Sequence, residues 1–109
     1  MYATSYATNL IFERHRAVAA LRLAHKWSVE SGGLYEATTS TIDIWLFPHV
    51  TPELRDESEL IGTIKIDWNY PDQRLATIAA IEVQPGWSRH DVERHIQHLF
   101  GAPVLAKAA

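Results

Sequence analysis

The stretch LIGTIKIDWNYPDQRLATIAAIEVQPGWSRHDVERHIQHLF, Leu60 to Phe100, decides the fold class. It reads as strand, turn, strand, corner, helix. Between Leu60 and Asn69, the residues Gly62, Ile64, Ile66 and Trp68 share one side, and Ile61, Thr63, Lys65 and Asp67 share the other. That alternation with period two is the signature of a strand. Asn69-Tyr70-Pro71-Asp72-Gln73 concentrates turn formers. Leu75 to Val83 is apolar on both sides except at Thr77 and Glu82, which predicts a central strand covered on both faces. A corner follows at Val83-Gln84-Pro85-Gly86-Trp87-Ser88. Ser88 and Asp91 then stand in a Ser-x-x-Asp pattern, a near relative of the capping box that opens helices. Val92, Ile96 and Leu99 make an apolar stripe, and Gly101 and Pro103 end the helix.

Upstream, residues 9 to about 30 read as a helix. Ala17, Ala20, Leu21, Leu23, Ala24 and Trp27 fall on one broad face at helical spacing, with His15, Arg22 and Lys26 opposite. The alanines allow close approach to a sheet, and Gly32-Gly33 is the expected stop. Leu34 to Phe47 is rich in Thr, Ile, Trp and Phe and reads as one long strand ended by Pro48. Thr51 to Glu59 is polar and acidic and reads as a surface loop or a single helical turn. There is no internal repeat, low-complexity tract or linker. The expected architecture is a single α+β domain over residues 1–109. Its order is α-β-β-β-α, with a three-stranded antiparallel sheet packed by two helices on one face.

The composition is that of one globular domain, with 47% hydrophobic and 21% charged residues in 109. No apolar run reaches the roughly 20 residues that span a bilayer. The start, Met1 to Tyr6, lacks the basic and apolar regions of a secretory signal, so a cytoplasmic location is the default. Without cysteine, disulfides and thiolate or Cys-based metal chemistry are excluded. The net charge of −3 opposes general nucleic-acid binding, which draws its affinity from Lys and Arg on phosphates. The charge is uneven. Residues 1–31 hold four basic and two acidic residues, and the remainder holds six basic and eleven acidic.

The segment Glu59-Leu60-Ile61-Gly62-Thr63-Ile64, the strand Ala76 to Val83, and Pro85-Gly86-Trp87 together resemble the middle of the GNAT acyl-CoA N-acyltransferase superfamily. The resemblance covers about 40 residues, Glu59–Phe100. It implies a curved, mostly antiparallel sheet and a helix whose first turn holds the pyrophosphate of acetyl-CoA. The family's Arg/Gln-x-x-Gly-x-Gly/Ala signature falls on Ser88, Arg89, His90, Asp91, Val92 and Glu93, and none of its residues is present. Asp91 and Glu93 stand where glycines would admit the phosphates. The resemblance therefore implies a degenerate, truncated relative. The α-β-β-β-α order is also similar to the double-stranded-RNA-binding domain. There, Arg89 and Arg94 of the second helix are offset by Asp91 and Glu93.

Several constellations have chemical readings. Asp91, His95 and His98 stand at i, i+4, i+7 on the last helix, a legitimate zinc or iron ligand set. The plainer reading, which we favour, is a helix flank in which Asp91 caps the start and histidines suit the dipole at the end. No metal or other cofactor is expected. Glu82 is the one carboxylate suited to general-base work, through burial at a strand end. No nucleophile triad has recognisable local context.

The expected function is therefore a non-catalytic protein-binding module. An adaptor or inhibitor of the type carried by phages and mobile elements fits that description. Trp45, Trp68, Tyr70 and Trp87 read as core and sheet packing or as aromatic anchors, with Trp87 the one best placed to be partly exposed. The expected interface comprises the acidic Glu53, Asp56, Glu57 and Glu59, Trp87, and Arg22 and Lys26 on the first helix. A GNAT-like acyl-CoA binder or acetyltransferase remnant is the alternative. A nucleic-acid binder using the first helix is a third. A homodimer through an exposed edge of the Leu34–Phe47 strand stays open. No membrane partner is expected.

Overall fold

The structure is a computed structural model that describes residues 2–26, 34–46 and 59–104. Its elements run β1 (Thr4–Glu13), α1 (Arg14–Lys26), β2 (Tyr35–Ala37), β3 (Thr41–Leu46), β4 (Glu59–Asp67), β5 (Leu75–Val83) and α2 (Arg89–Phe100). The strands form one five-stranded sheet in the order β1-β5-β4-β3-β2, antiparallel throughout. This corrects the three-stranded sheet and the α-β-β-β-α order expected from the sequence. The order is β-α-β-β-β-β-α. The order likeness to the double-stranded-RNA-binding domain goes with it.

Two local features account for the difference. Residues 9–13 are strand, not helix. Tyr6, Leu10 and Phe12 alternate onto the helix side, opposite Ile81, Ile78 and Ala76 of β5. Aromatic and branched residues favour that pleated, half-buried surface over a helix start. The helix begins at Arg14, directly after Glu13, where the alanine spacing takes over. The second feature is a turn inside the expected long strand. The Thr38 hydroxyl accepts from the backbone N–H groups of Ser40 and Thr41. That local bonding reverses the chain and splits the segment into β2 and β3. Among the described residues the edges of the sheet are therefore β1 and the three-residue β2, and the expected edge strand is interior along β3.

Both helices lie on one face. Ala17, Ala20 and Ala24 of α1 are buried, as are Val92, Ile96, Leu99 and Phe100 of α2. They rest on Phe12, Ile42, Ile44, Ile64, Ile78 and Ile81, all close to fully buried. Each such side chain contributes about 1.5–3 kcal/mol relative to exposure. The Phe12 and Phe100 rings meet at 4.9 Å between centroids. Gly62 brings α2 closest to the sheet, since a Cβ there would meet Val92 Cγ2 at 2.6 Å.

The opposite face carries a cross-strand row of Ser5, Glu82, Thr63, Asp43 and Glu36, one from each strand. Thr63 donates to Asp43 at 2.7 Å, and Lys65 pairs with Glu82. Among the described residues β5 is thus bracketed by strands on both edges but packed by helices on one face only. Its apolar second side is mostly small, with Ala79 exposed and Ala80 half-buried. The helix α2 begins with the full capping box read from Ser88 and Asp91 and ends at Gly101, whose φ is 77°. The expected Gly32-Gly33 stop lies outside the described residues.

Candidate functional site

The clearest concentration of charge lies on α1. Its first turn holds Arg14, His15 and Arg16 and no acidic residue. The start of a helix carries the positive end of its dipole, so cations there are unfavourable by about 0.3–1 kcal/mol each. Each of the three finds local compensation. Arg14 lies over the Trp68 ring at 5.2 Å and donates to the Trp68 carbonyl at 3.3 Å. His15 stands 3.2 Å from the Glu13 carboxylate. The Arg16 guanidinium reaches the Gly101 end of α2, where unsatisfied carbonyls favour a cation.

The outer face of α1 forms a shallow depression of about 810 Å³. Arg14, His15, Arg22, Lys26 and Arg74 rim it, and Val18, Ala19 and Leu23 form its apolar floor. Arg74 comes from the turn between β4 and β5. The Arg14 N–H donates to the Arg74 carbonyl at 2.8 Å and pins the helix start to that turn. Asp72 grips Arg74 at 2.9 Å, and that hydrogen-bonded pairing lowers the Asp72 pKa to about 2. A second depression of about 580 Å³ adjoins the first. Arg14 is common to both, and Trp68, Asn69, Tyr70, Pro71 and Gln73 complete the second. The two together place cations, an apolar floor and two aromatic residues on one continuous surface.

The residues singled out in the sequence are dispersed. Arg22 and Lys26 are exposed on α1 and belong to this surface. Glu59 is the exposed first residue of β4, opposite Leu46. Trp87 is half-buried in the corner after β5 and packs against the core. Because Gln84 bonds to Ile61, Trp87 and Glu59 lie at the same end of the sheet. That end is opposite the β4–β5 turn that carries Arg74. Glu53, Asp56 and Glu57 lie outside the described residues. Arg74 is the residue of this surface that the sequence reading missed. Its signal was the turn itself, since it must meet the start of whichever helix follows the strand beside β5.

Asp91, His95 and His98 are not brought together. Asp91 Oδ2 accepts from the Ser88 N–H at 2.7 Å and from its hydroxyl at 2.9 Å, and these bonds hold its pKa down. His95 Nδ1 shares a hydrogen bond of 2.8 Å with the Tyr35 hydroxyl. Burial lowers the His95 pKa and raises that of Tyr35, so both are held neutral. Among the described residues, no three His, Asp or Glu side chains are placed to hold a metal ion. Glu82 is committed to Lys65 on the face away from the helices.

The corner Gln84–Ser88 does present a helix N-terminus. Gly86 has φ 89°, and the Trp87 N–H bonds to the Gln84 carbonyl at 3.1 Å. The chain's own carboxylate, Asp91, already occupies that terminus through the capping box. Comparison with known protein families, curated proteins and solved structures found no match for this chain. No helix among the described residues is long and apolar enough to cross a membrane.

Proposed function

We propose that the protein is a small, non-catalytic protein-binding module whose outer α1 face docks an acidic segment of a partner. The observation that carries this reading is the placement of Arg14, Arg22, Lys26 and Arg74 around Val18, Ala19 and Leu23. The chain as a whole is acidic, so this basic face stands out against its surroundings. The apolar floor suits a partner with hydrophobic as well as acidic side chains. An adaptor or inhibitor works through such a surface without chemistry of its own.

Nucleic acid is the second reading, because Trp68 and Tyr70 adjoin the cations as stacking platforms do. The Trp68 face already carries Arg14, and Glu13 and Asp72 sit beside the basic residues. The occupied Trp68 face favours a protein partner. The acyl-CoA reading has the least support, since Asp91 holds the helix terminus that a pyrophosphate would need.

The test is affinity purification from the native cells with the wild type and with Arg22→Glu/Lys26→Glu, before and after nuclease treatment. A stoichiometric protein that survives nuclease and is lost with the double variant is the expected result. Retention by the variant refutes the assignment to α1. Loss on nuclease treatment transfers the face to nucleic acid.

A further inference from the structure

We infer that the depression beside the β4–β5 turn is a binding site for a neutral sugar. This goes beyond the docking role of α1, although Arg14 borders both surfaces.

Three connections of the chain meet at this end of the sheet. The Trp68 Nε1–H donates to the Thr39 carbonyl at 2.8 Å and ties the β2–β3 turn to the end of β4. Arg14 lies over the Trp68 ring, and its backbone N–H is held by the Arg74 carbonyl. Within the β4–β5 turn, the Asn69 N–H donates to Asp67 Oδ1 at 2.9 Å, and the Arg74 N–H donates to Asp72 Oδ1 at 2.9 Å. The walls are therefore fixed before a ligand arrives, which lowers the ordering cost of binding. The depression between them, about 580 Å³, is of the size that holds small molecules, roughly 300–1,000 Å³.

Its lining selects the chemistry of the ligand. Asn69, Tyr70 and Gln73 make no side-chain hydrogen bond among the described residues. Asn69 and Gln73 are exposed and Tyr70 is half-buried. A carboxamide and a phenol each donate and accept. Three such groups between positions 69 and 73 suit a compact ligand whose own groups do both, as sugar hydroxyls do. The Tyr70 ring adds a negative face against which the C–H groups of a sugar ring pack.

Charge points the same way. Among the described residues no carboxylate lines the depression, and its cation, Arg14, is already engaged with Trp68. A phosphate or an acidic side chain is better matched by Arg22, Lys26 and Arg74 of the adjoining surface. The Arg14 guanidinium spends one N–H on the Trp68 carbonyl and keeps others for a hydroxyl. A nucleobase would need the Trp68 face, which Arg14 covers.

The test is proton–nitrogen correlation NMR of the full chain. It is titrated with glucose, galactose, mannose and N-acetylglucosamine, with their methyl glycosides, and with adenosine and cytidine. The side-chain amide signals of Asn69 and Gln73 and the Trp68 indole signal report on the site directly. At least one sugar should shift them with a Kd in the millimolar range or tighter. Asn69→Ala/Gln73→Ala and Tyr70→Ala, verified as folded by circular dichroism, should each weaken that binding about tenfold or more. Arg22→Glu/Lys26→Glu should leave it unchanged, which separates this site from the α1 face. A methyl glycoside that binds as well as the free sugar identifies the end of a glycan, and binding of the free form alone identifies a reducing sugar. Absence of shifts with every sugar overturns the inference, as does sugar binding that survives both turn variants. Shifts with adenosine or cytidine but with none of the sugars also overturn it and pass the depression to nucleic acid.

Discussion

Replacing Gly62 by Ala tests the packing on which the whole helix layer depends. Gly62 lies on β4 beneath α2. An added Cβ would fall on the backbone carbonyl oxygen of Glu82 and within 2.6 Å of Val92 Cγ2. Contacts between carbons are comfortable only near 3.5–4.0 Å. Val92 is fully buried, and the Glu82 carbonyl belongs to the neighbouring strand, so neither yields cheaply. Overpacking of this kind costs about 1–3 kcal/mol. An opposing gain of about 0.4–1 kcal/mol comes from the stiffer unfolded chain. Gly62 is not among the residues with positive φ, so no backbone strain is added. The net expectation is a loss of about 1–2 kcal/mol, or a Tm lower by roughly 5–10 °C in a domain of this size. Urea denaturation should show a lower midpoint at unchanged slope. Val92→Ala removes one of the two clashing groups. In a double-mutant cycle the pair should therefore cost less than the sum of the single changes, by about 0.5–1 kcal/mol. A Gly62→Ala protein as stable as the wild type would refute the close approach of α2 to the sheet.

Three further outcomes are expected. Ser88→Ala removes the side chain that caps α2 at Asp91 and should cost about 1 kcal/mol in urea denaturation. Gly101→Ala forces a side chain into φ 77° and against the Arg16 guanidinium, and a loss of about 1 kcal/mol or more should appear as a lower Tm. His95 gives a pH dependence of defined sign. Burial keeps the folded imidazole below its ordinary value of 6.5, so between the two values the unfolded chain binds more protons. Its contribution is complete above pH 6.5 and declines as pH falls below it, and His95→Gln should flatten that part of a pH–stability curve.

The sequence was most legible where a local rule met no competitor. β4, β5 and α2 follow directly from the alternation in Leu60–Asp67, the turn at Pro71 and the Ser88–Asp91 cap. The N-terminus was less so, because the helical spacing of Ala17, Ala20 and Ala24 extends back to residue 9 on paper while Leu10 and Phe12 fit a strand. Only the partner strand decides between them. Ile78 and Ala76 stand opposite Leu10 and Phe12, and that pairing joins residues more than sixty positions apart. The split between β2 and β3 hung on one hydroxyl, Thr38, in a segment of uniformly high strand propensity. Of the proposed site, Arg22 and Lys26 were readable from helical spacing. The placement of Arg74 and Trp68 beside them was not, because the antiparallel return of β5 beside β1 is what carries their turn to the start of α1.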